Sequence, residues 1–126
     1  MKKYDFVFSP PFEAKFHDIV IFNGVWFKKK SYFTNVLFEG KTYFPHCHFL
    51  NETNFDRAKF KNEVIFSGTE FREKVKFSNA KFYAMSIFSS IFSIDGDYIT
   101  KFKSADFNST HFEKGVSFNY CIIEKN

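Results

Sequence analysis

The sequence predicts an all-β fold in which very short strands wind into a quadrilateral β-helix of about five to six coils around stacked phenylalanine rings. Three observations predict it: a composition dominated by one aromatic residue, a Phe series whose gaps alternate between five and six, and a small or β-branched residue two places before each Phe.

Composition comes first. Phe supplies 22 of 126 residues and Trp one, which implies one side chain filling one repeated role. Charged residues, 25% of the chain, are interspersed among the Phe, so the chain is neither disordered nor able to offer an apolar run that spans a membrane. One soluble domain over residues 1–126 is expected, with an atypical first coil at 1–11 and an irregular register at 89–101. The start, MKKYDFVFSPPF, carries two lysines but no apolar stretch, and no secretory leader is expected. Cys47 and Cys121 are too few and too far apart for a disulfide framework, which suits a cytoplasmic setting.

The Phe series is the strongest signal. Phe16, Phe22, Phe27, Phe33, Phe38, Phe44, Phe49, Phe55, Phe60, Phe66, Phe71, Phe77, Phe82 and Phe88 alternate gaps of six and five without a break. Two places before them stand residues such as Val20, Val25, Ser31, Cys47, Ala58, Thr69 and Ala80, none of them charged. A helix, at about 100° per residue, scatters this pattern over separate stripes. A flat strand fails as well, because a step of five reverses the side chain. Residues two apart do share a strand face, so each small residue and its Phe point inward together, and the next two or three residues turn a corner.

The outward residue before each Phe sets the number of sides. At a lag of 22 the series Lys15, Leu37, Lys59, Lys81 and Ile21, Tyr43, Ile65, Ile87 each stay alike, whereas at a lag of 11 Lys59 meets Glu70. Four sides per coil follow. The register runs on through Phe92, Tyr98, Phe102, Phe107, Phe112, Phe118 and Ile123 with single-residue deletions, and backwards through Phe12 and Phe6 past Tyr4, Pro10 and Pro11.

These inward positions resemble the pentapeptide repeat family, whose unit carries a small residue followed two places later by a central Leu or Phe. The resemblance covers nearly the whole chain and implies a right-handed β-helix. This sequence departs from the commonest form by using Phe almost throughout, by adding a sixth residue in alternate units, and by keeping Asp or Asn between the inward positions only at Asn54, Asp97 and Asp106. Some relatives mimic DNA and bind type II topoisomerases such as gyrase. Mimicry needs an acidic surface, and the net charge of +4 disfavours it here.

Candidate chemistry is sparse. In PHCHF, alternation turns Cys47 inward and His46 and His48 outward, so these three are read as structural rather than as a metal site. Cys121 is assigned to a different column from Cys47. Asp95 and Asp97 in SIDGDY lack the glutamate of a calcium loop. No catalytic grouping stands out, and no enzyme activity, metal or cofactor is expected.

Function is therefore sought on the surface. A candidate basic stripe, Lys15, Lys59, Lys61, Lys81, Lys101 and Lys103, follows the column assigned to Phe16, Phe38, Phe60, Phe82 and Phe102. Its favoured role is solvation and protection of edges, with polyanion contact as the rival. Ile21, Tyr43, Ile65 and Ile87 form a candidate apolar ladder, a mark of protein contact if outward, unless the six-residue units tuck it into a corner. No amphipathic helix caps either terminus, so the carboxyl end with Phe112, Phe118 and Ile123 is expected to stack on a second copy. The leading expectation is a non-enzymatic scaffold with a protein partner of unknown identity and a homodimer formed end to end; nucleic acid is the less favoured partner, and no membrane is implied.

Overall fold

Strands in this protein pair with the strand one coil away. Lys15 stands beside Leu37, Thr42 beside Val64, Trp26 beside His48 and Ser31 beside Thr53, all in parallel register. A lag of 22 residues is thus one coil of four sides. The computed structural model describes residues 2–11 and 13–124; Phe12, expected in the inward series, lies outside the described residues.

Face 1 stacks Lys15–Phe16, Leu37–Phe38, Lys59–Phe60, Lys81–Phe82 and His111–Phe112, and face 2 stacks Val20–Ile21, Thr42–Tyr43, Val64–Ile65, Ser86–Ile87 and Val116–Ser117. Face 3 carries Lys3–Tyr4, Trp26–Phe27, His48–Phe49 and Ile122–Ile123, and face 4 carries Ser31–Tyr32 and Thr53–Asn54. The longer strands Glu70–Lys76 and Lys101–Asp106 bend across both of these faces, with a register shift between Phe71 and Lys74. The second of them spends one residue fewer at the bend.

The alternating gaps are corner lengths. After faces 2 and 4 the chain turns in two residues, and the second of them takes a positive φ: 61° at Asn35, 59° at Arg57 and 59° at Asn79. The next small residue closes the turn by donating its N–H to the Phe carbonyl, as Val36 does to Phe33 at 3.2 Å and Ala58 to Phe55 at 3.0 Å. A left-handed residue at this position is what a type II turn requires. Non-glycine residues hold it at a cost of about 1–2 kcal/mol, offset by ladder bonds on both sides, such as Asn35 N–H to Asp56 O at 3.0 Å. After faces 1 and 3 the corner takes three residues in the regular coils and needs no positive φ. There Gly40 lies so close to the coil before it that a Cβ would sit 2.7 Å from the backbone carbonyl of Asp18.

Inside, each Phe stacks on its neighbours in the same column. Phe27 and Phe49 lie 4.5 Å apart with planes 1° from parallel, Phe33 and Phe55 4.7 Å at 5°, and Phe60 and Phe82 4.6 Å at 6°. Across the rod the columns of faces 2 and 4 meet edge to face, with Phe44 against Phe55 at 5.8 Å and 85° and Phe55 against Phe66 at 5.6 Å and 82°. Both arrangements suit the aromatic quadrupole. Small inward residues fill the space beside the rings, and the polar ones bond to carbonyls: Thr69 Oγ1 donates to Phe44 O and Thr110 Oγ1 to Phe77 O. Phe27 through Phe88 in the ladder are buried, whereas Phe16, Phe22, Phe107 and Phe112 near the two ends are half-buried.

The inward series departs from expectation in two places. Phe6 is 55% exposed, and Tyr4 and Phe8 supply the first coil's inward rings instead, packing on Phe27 and Phe33. Nor do Phe92 and Tyr98 belong to a coil. Ile91–Ser93 pairs antiparallel with Gly96–Tyr98, making a hairpin that leaves the rod at the corner after Phe88 and returns at Thr100. Phe92 is 55% exposed and is not part of the core. A hairpin satisfies its own backbone groups, so an insertion of this kind needs no room in a coil. Every later column is displaced: Phe102 stacks on Phe71, not on Phe82, and it is Phe112 that continues the column of Phe82.

Replacement of a mid-rod ring should cost far more than one at the amino end. Phe66→Ala is expected to lose about 3–5 kcal/mol of stability in urea unfolding, and Phe16→Ala, whose half-buried ring has one same-column neighbour, at most about half of that.

Candidate functional site

The two-residue corner between faces 2 and 3 is the most elaborated part of the surface, because the hairpin folds over it. Tyr98 lays its ring 3.8 Å from that of His46, a corner residue two coils earlier, while Phe92 meets Tyr120 edge to face at 5.4 Å. Gly68 lies between the coils of His46 and the hairpin. At φ 75° it takes the left-handed form, and a Cβ there would fall 2.6 Å from His46 Nδ1 and 2.7 Å from Tyr98 Cβ. Its N–H donates to Thr100 Oγ1 at 2.8 Å, and Thr100 N–H donates to Ser90 Oγ at 3.0 Å, which fastens the base of the hairpin.

Face 3 carries an outward row from Trp26 through His48 and Glu70 to Lys101. Trp26 and His48 stack at 4.1 Å, His48 Nδ1 lies 3.4 Å from Glu70 Oε1, and the Arg72 guanidinium sits 5.4 Å from the indole. Between Glu70, Arg72, Lys101, Lys103, Ile122 and Glu124 runs an open groove of about 530 Å³. A smaller hollow of about 250 Å³ lies beside the hairpin, lined in part by His46, His48, Asp97 and Tyr98. Salt links inside the row leave it balanced in charge, with Arg72 Nε 3.5 Å from Glu70 and Lys103 Nζ 3.3 Å from Glu73.

His46 and His48 do face outward, on either side of the inward Cys47, and among the described residues no group of three or more His, Cys, Asp or Glu side chains could hold a metal. Burial holds both imidazoles below the ordinary histidine value; at His48 the Glu70 carboxylate opposes that effect. Burial also pushes the Cys47 thiol up to about 12, so it stays protonated and unreactive. Cys121 corrects an expectation: the hairpin displaces the register so that it shares the column of Cys47, with Thr69 and Thr100 between them, and both thiols are free. Asp95 stands at the hairpin tip, and Asp97 is a hairpin residue rather than a unit of a coil.

The basic stripe splits. Lys15, Lys59, Lys61 and Lys81 flank the strands of face 1, where His111 and Glu113 follow in the last coil, but Lys101 and Lys103 stand on face 3 and at its border with face 4 because Phe102 does. Lys61 Nζ sits 3.9 Å from the centroid of the Tyr83 ring, a cation–π contact that engages one of these lysines. The apolar ladder points outward on face 2, with Ile21 61% exposed and Tyr43, Ile65 and Ile87 half-buried. Its neighbouring charges close on one another, Tyr43 Oη donating to Glu63 at 3.0 Å and Lys41 Nζ lying 3.8 Å from the same carboxylate. At the carboxyl end Phe118 is 38% and Ile123 67% exposed, while Phe112 is half-buried. No helix among the described residues is long and apolar enough to cross a membrane.

Two features escaped the sequence reading. The hairpin was hidden by aromatic residues that mimic the inward series. The run WFKKKSY, residues 26–32, contributes Phe27 and Ser31 to the inward series, and it also sets Lys28, Lys29 and Lys30 on one corner between Trp26 and Tyr32.

Residues 44–91 match the family described as pentapeptide repeats (9 copies). Neither a curated protein nor a solved structure gave a match to the chain.

The two half-buried imidazoles predict a pH dependence. The unfolded chain takes up these protons near pH 6.5 and the folded chain only at lower pH, so stability rises with pH across that window and is fully present above it. The melting temperature should therefore fall between about pH 7 and pH 5, and replacing both His46 and His48 by Gln should flatten that part of the profile.

Proposed function

The chain carries pentapeptide repeats across residues 44–91, and from that premise we propose that it serves as a non-enzymatic structural scaffold which holds protein partners on its outer faces. The observation that carries this reading is the ladder on face 2. Ile21, Tyr43, Ile65 and Ile87 stand in register on successive parallel strands, and Ile19 and Met85 beside them are 59% and 44% exposed. A row of apolar side chains on a flat, rigid wall gives a partner a surface that needs no ordering on binding. With Lys41 and Glu63 already paired, docking there would desolvate few free charges.

A second element of the proposal concerns the carboxyl end. The last coil leaves Phe118, Ile122 and Ile123 exposed above a continuous ring stack. A second copy related by a two-fold axis would cover both ends with one self-complementary contact. The reading includes a cytoplasmic setting, supported by two inward thiols that stand too many strands apart to pair.

Two measurements test the proposal. Capture of a defined partner by the wild-type rod should fail with Ile21→Glu combined with Ile65→Glu and persist with Lys59→Gln combined with Lys81→Gln; equal capture by all three overturns the face 2 assignment. Light scattering at micromolar concentration should give twice the chain mass, reduced to one chain mass by Ile123→Glu, whereas a monomeric wild type rules out the end-to-end pair.

A further inference from the structure

Beyond the scaffold reading, the corner between faces 3 and 4 gathers cations from several coils. Lys28, Lys29 and Lys30 turn this corner in one coil, and Arg72, Glu73 and Lys74 turn it two coils later. Lys76 and Lys103 border it. Some of this charge is neutralised: Lys30 Nζ lies 3.3 Å from Glu52, Arg72 Nε 3.5 Å from Glu70 and Lys103 Nζ 3.3 Å from Glu73. Lys28, Lys29, Lys74 and Lys76 have no carboxylate within ion-pair distance among the described residues. The nearest acidic neighbour of Lys74 and Lys76 on the next coil is Asp106. Its carboxylate accepts from Asn108 N–H at 2.8 Å, a bond that leads in holding it below the usual carboxylate range.

On face 4 this edge opens into a pocket of about 100 Å³ lined by Tyr32, Glu52, Thr53, Asn54, Lys74 and Lys76. Three kinds of group converge there. The two ammonium groups supply positive charge. Asn54 Oδ1 accepts from Asp56 N–H at 2.7 Å, which leaves the Asn54 amide nitrogen as a free donor among the described residues. Tyr32, 37% exposed, presents a ring in the same row as Asn54 and Lys76. Cations along a ridge, a donor in the pocket beside them, and an exposed aromatic face are the components that bind single strands: charge follows the phosphates and an unpaired base stacks on the ring.

We propose that the corner between faces 3 and 4 is a binding site for single-stranded nucleic acid, with Lys28, Lys29, Lys74 and Lys76 on the phosphates and Tyr32 under an unpaired base. From the coil of Lys28 and Lys29 to that of Lys74 and Lys76 is two strand steps, about 10 Å, so the site spans a few nucleotides and binds in the micromolar range at low salt. On face 1 the aromatic ring is already engaged, Tyr83 holding Lys61, and the hollow beside Lys15 and Lys59 contains Glu13, which has no ion-pair partner among the described residues, whereas Glu52 in the face 4 pocket is paired with Lys30.

Fluorescence anisotropy of the whole chain with a labelled twelve-nucleotide oligothymidine tests the site, with the matching duplex as comparison. Four phosphate contacts predict a slope of about −3 in log affinity against log salt. Lys74→Gln with Lys76→Gln should weaken binding at least tenfold and make the slope shallower by about 1.4. Lys59→Gln with Lys81→Gln, the same change in net charge on face 1, should alter affinity less than threefold. Tyr32→Leu should weaken the single strand fivefold or more while leaving the slope unchanged, and circular dichroism checks that each variant is folded. No binding at 20 mM salt, equal losses in the two lysine pairs, or a duplex bound as tightly as the single strand would each overturn the proposal. None of these outcomes bears on face 2, so the scaffold reading stands or falls separately.

Discussion

Two distances coincide in this protein. Neighbouring strands in a sheet sit about 4.8 Å apart, and that spacing also brings rings on successive coils into offset contact. In the middle of the rod same-column rings are separated by 4.7 Å for Phe33 and Phe55, 4.8 Å for Phe38 and Phe60, and 5.1 Å for Phe44 and Phe66. The backbone ladder therefore fixes the aromatic stack, and the stack in turn favours planar side chains of one size. A branched aliphatic residue would fill the volume without presenting a flat face to its neighbours. The dominance of Phe in the composition follows from this match.

Every other feature accommodates it. Each coil must return to its starting column one strand higher, so corner lengths are constrained and residues as different as Asn35, His46 and Arg57 share one left-handed backbone form. The outward positions carry no such restriction. That is why face 2 can be apolar, face 3 can hold a balanced row of indole, imidazole and carboxylate, and the next corner can be basic, all on the same frame. Function in such a molecule is written in the variable rows.

Much of the frame was legible because it repeats. The lag of 22 and the inward series from Phe16 to Phe88 emerge from the order of residues alone. The hairpin was not legible, since counting aromatic residues cannot distinguish a short insertion from several deletions when the insertion itself contains Phe92 and Tyr98. That one ambiguity moved Lys101, Lys103 and Cys121 to different columns. Phe6 was misassigned for a related reason: near the amino end, the local alternation of Tyr4, Phe6 and Phe8 competes with the long-range rhythm, and pairing of Phe8 with Ser31 decides it. The cationic corner needed three dimensions, because Lys28 and Lys74 come to the same corner, two coils apart, only through the winding.

The hairpin also changes how the rod would respond to a pulling force. Each coil is bonded only to those beside it, so a molecule stretched from its carboxyl terminus would peel one coil at a time rather than unfold as a unit. A regular coil of 22 residues, as between Phe66 and Phe88, would release about 75 Å of chain. The interval from Phe88 to Phe118, which includes the hairpin, holds 30 residues and would release about 100 Å. An extension record of this protein would thus show near-equal steps with one longer step among them, marking where the insertion lies along the rod.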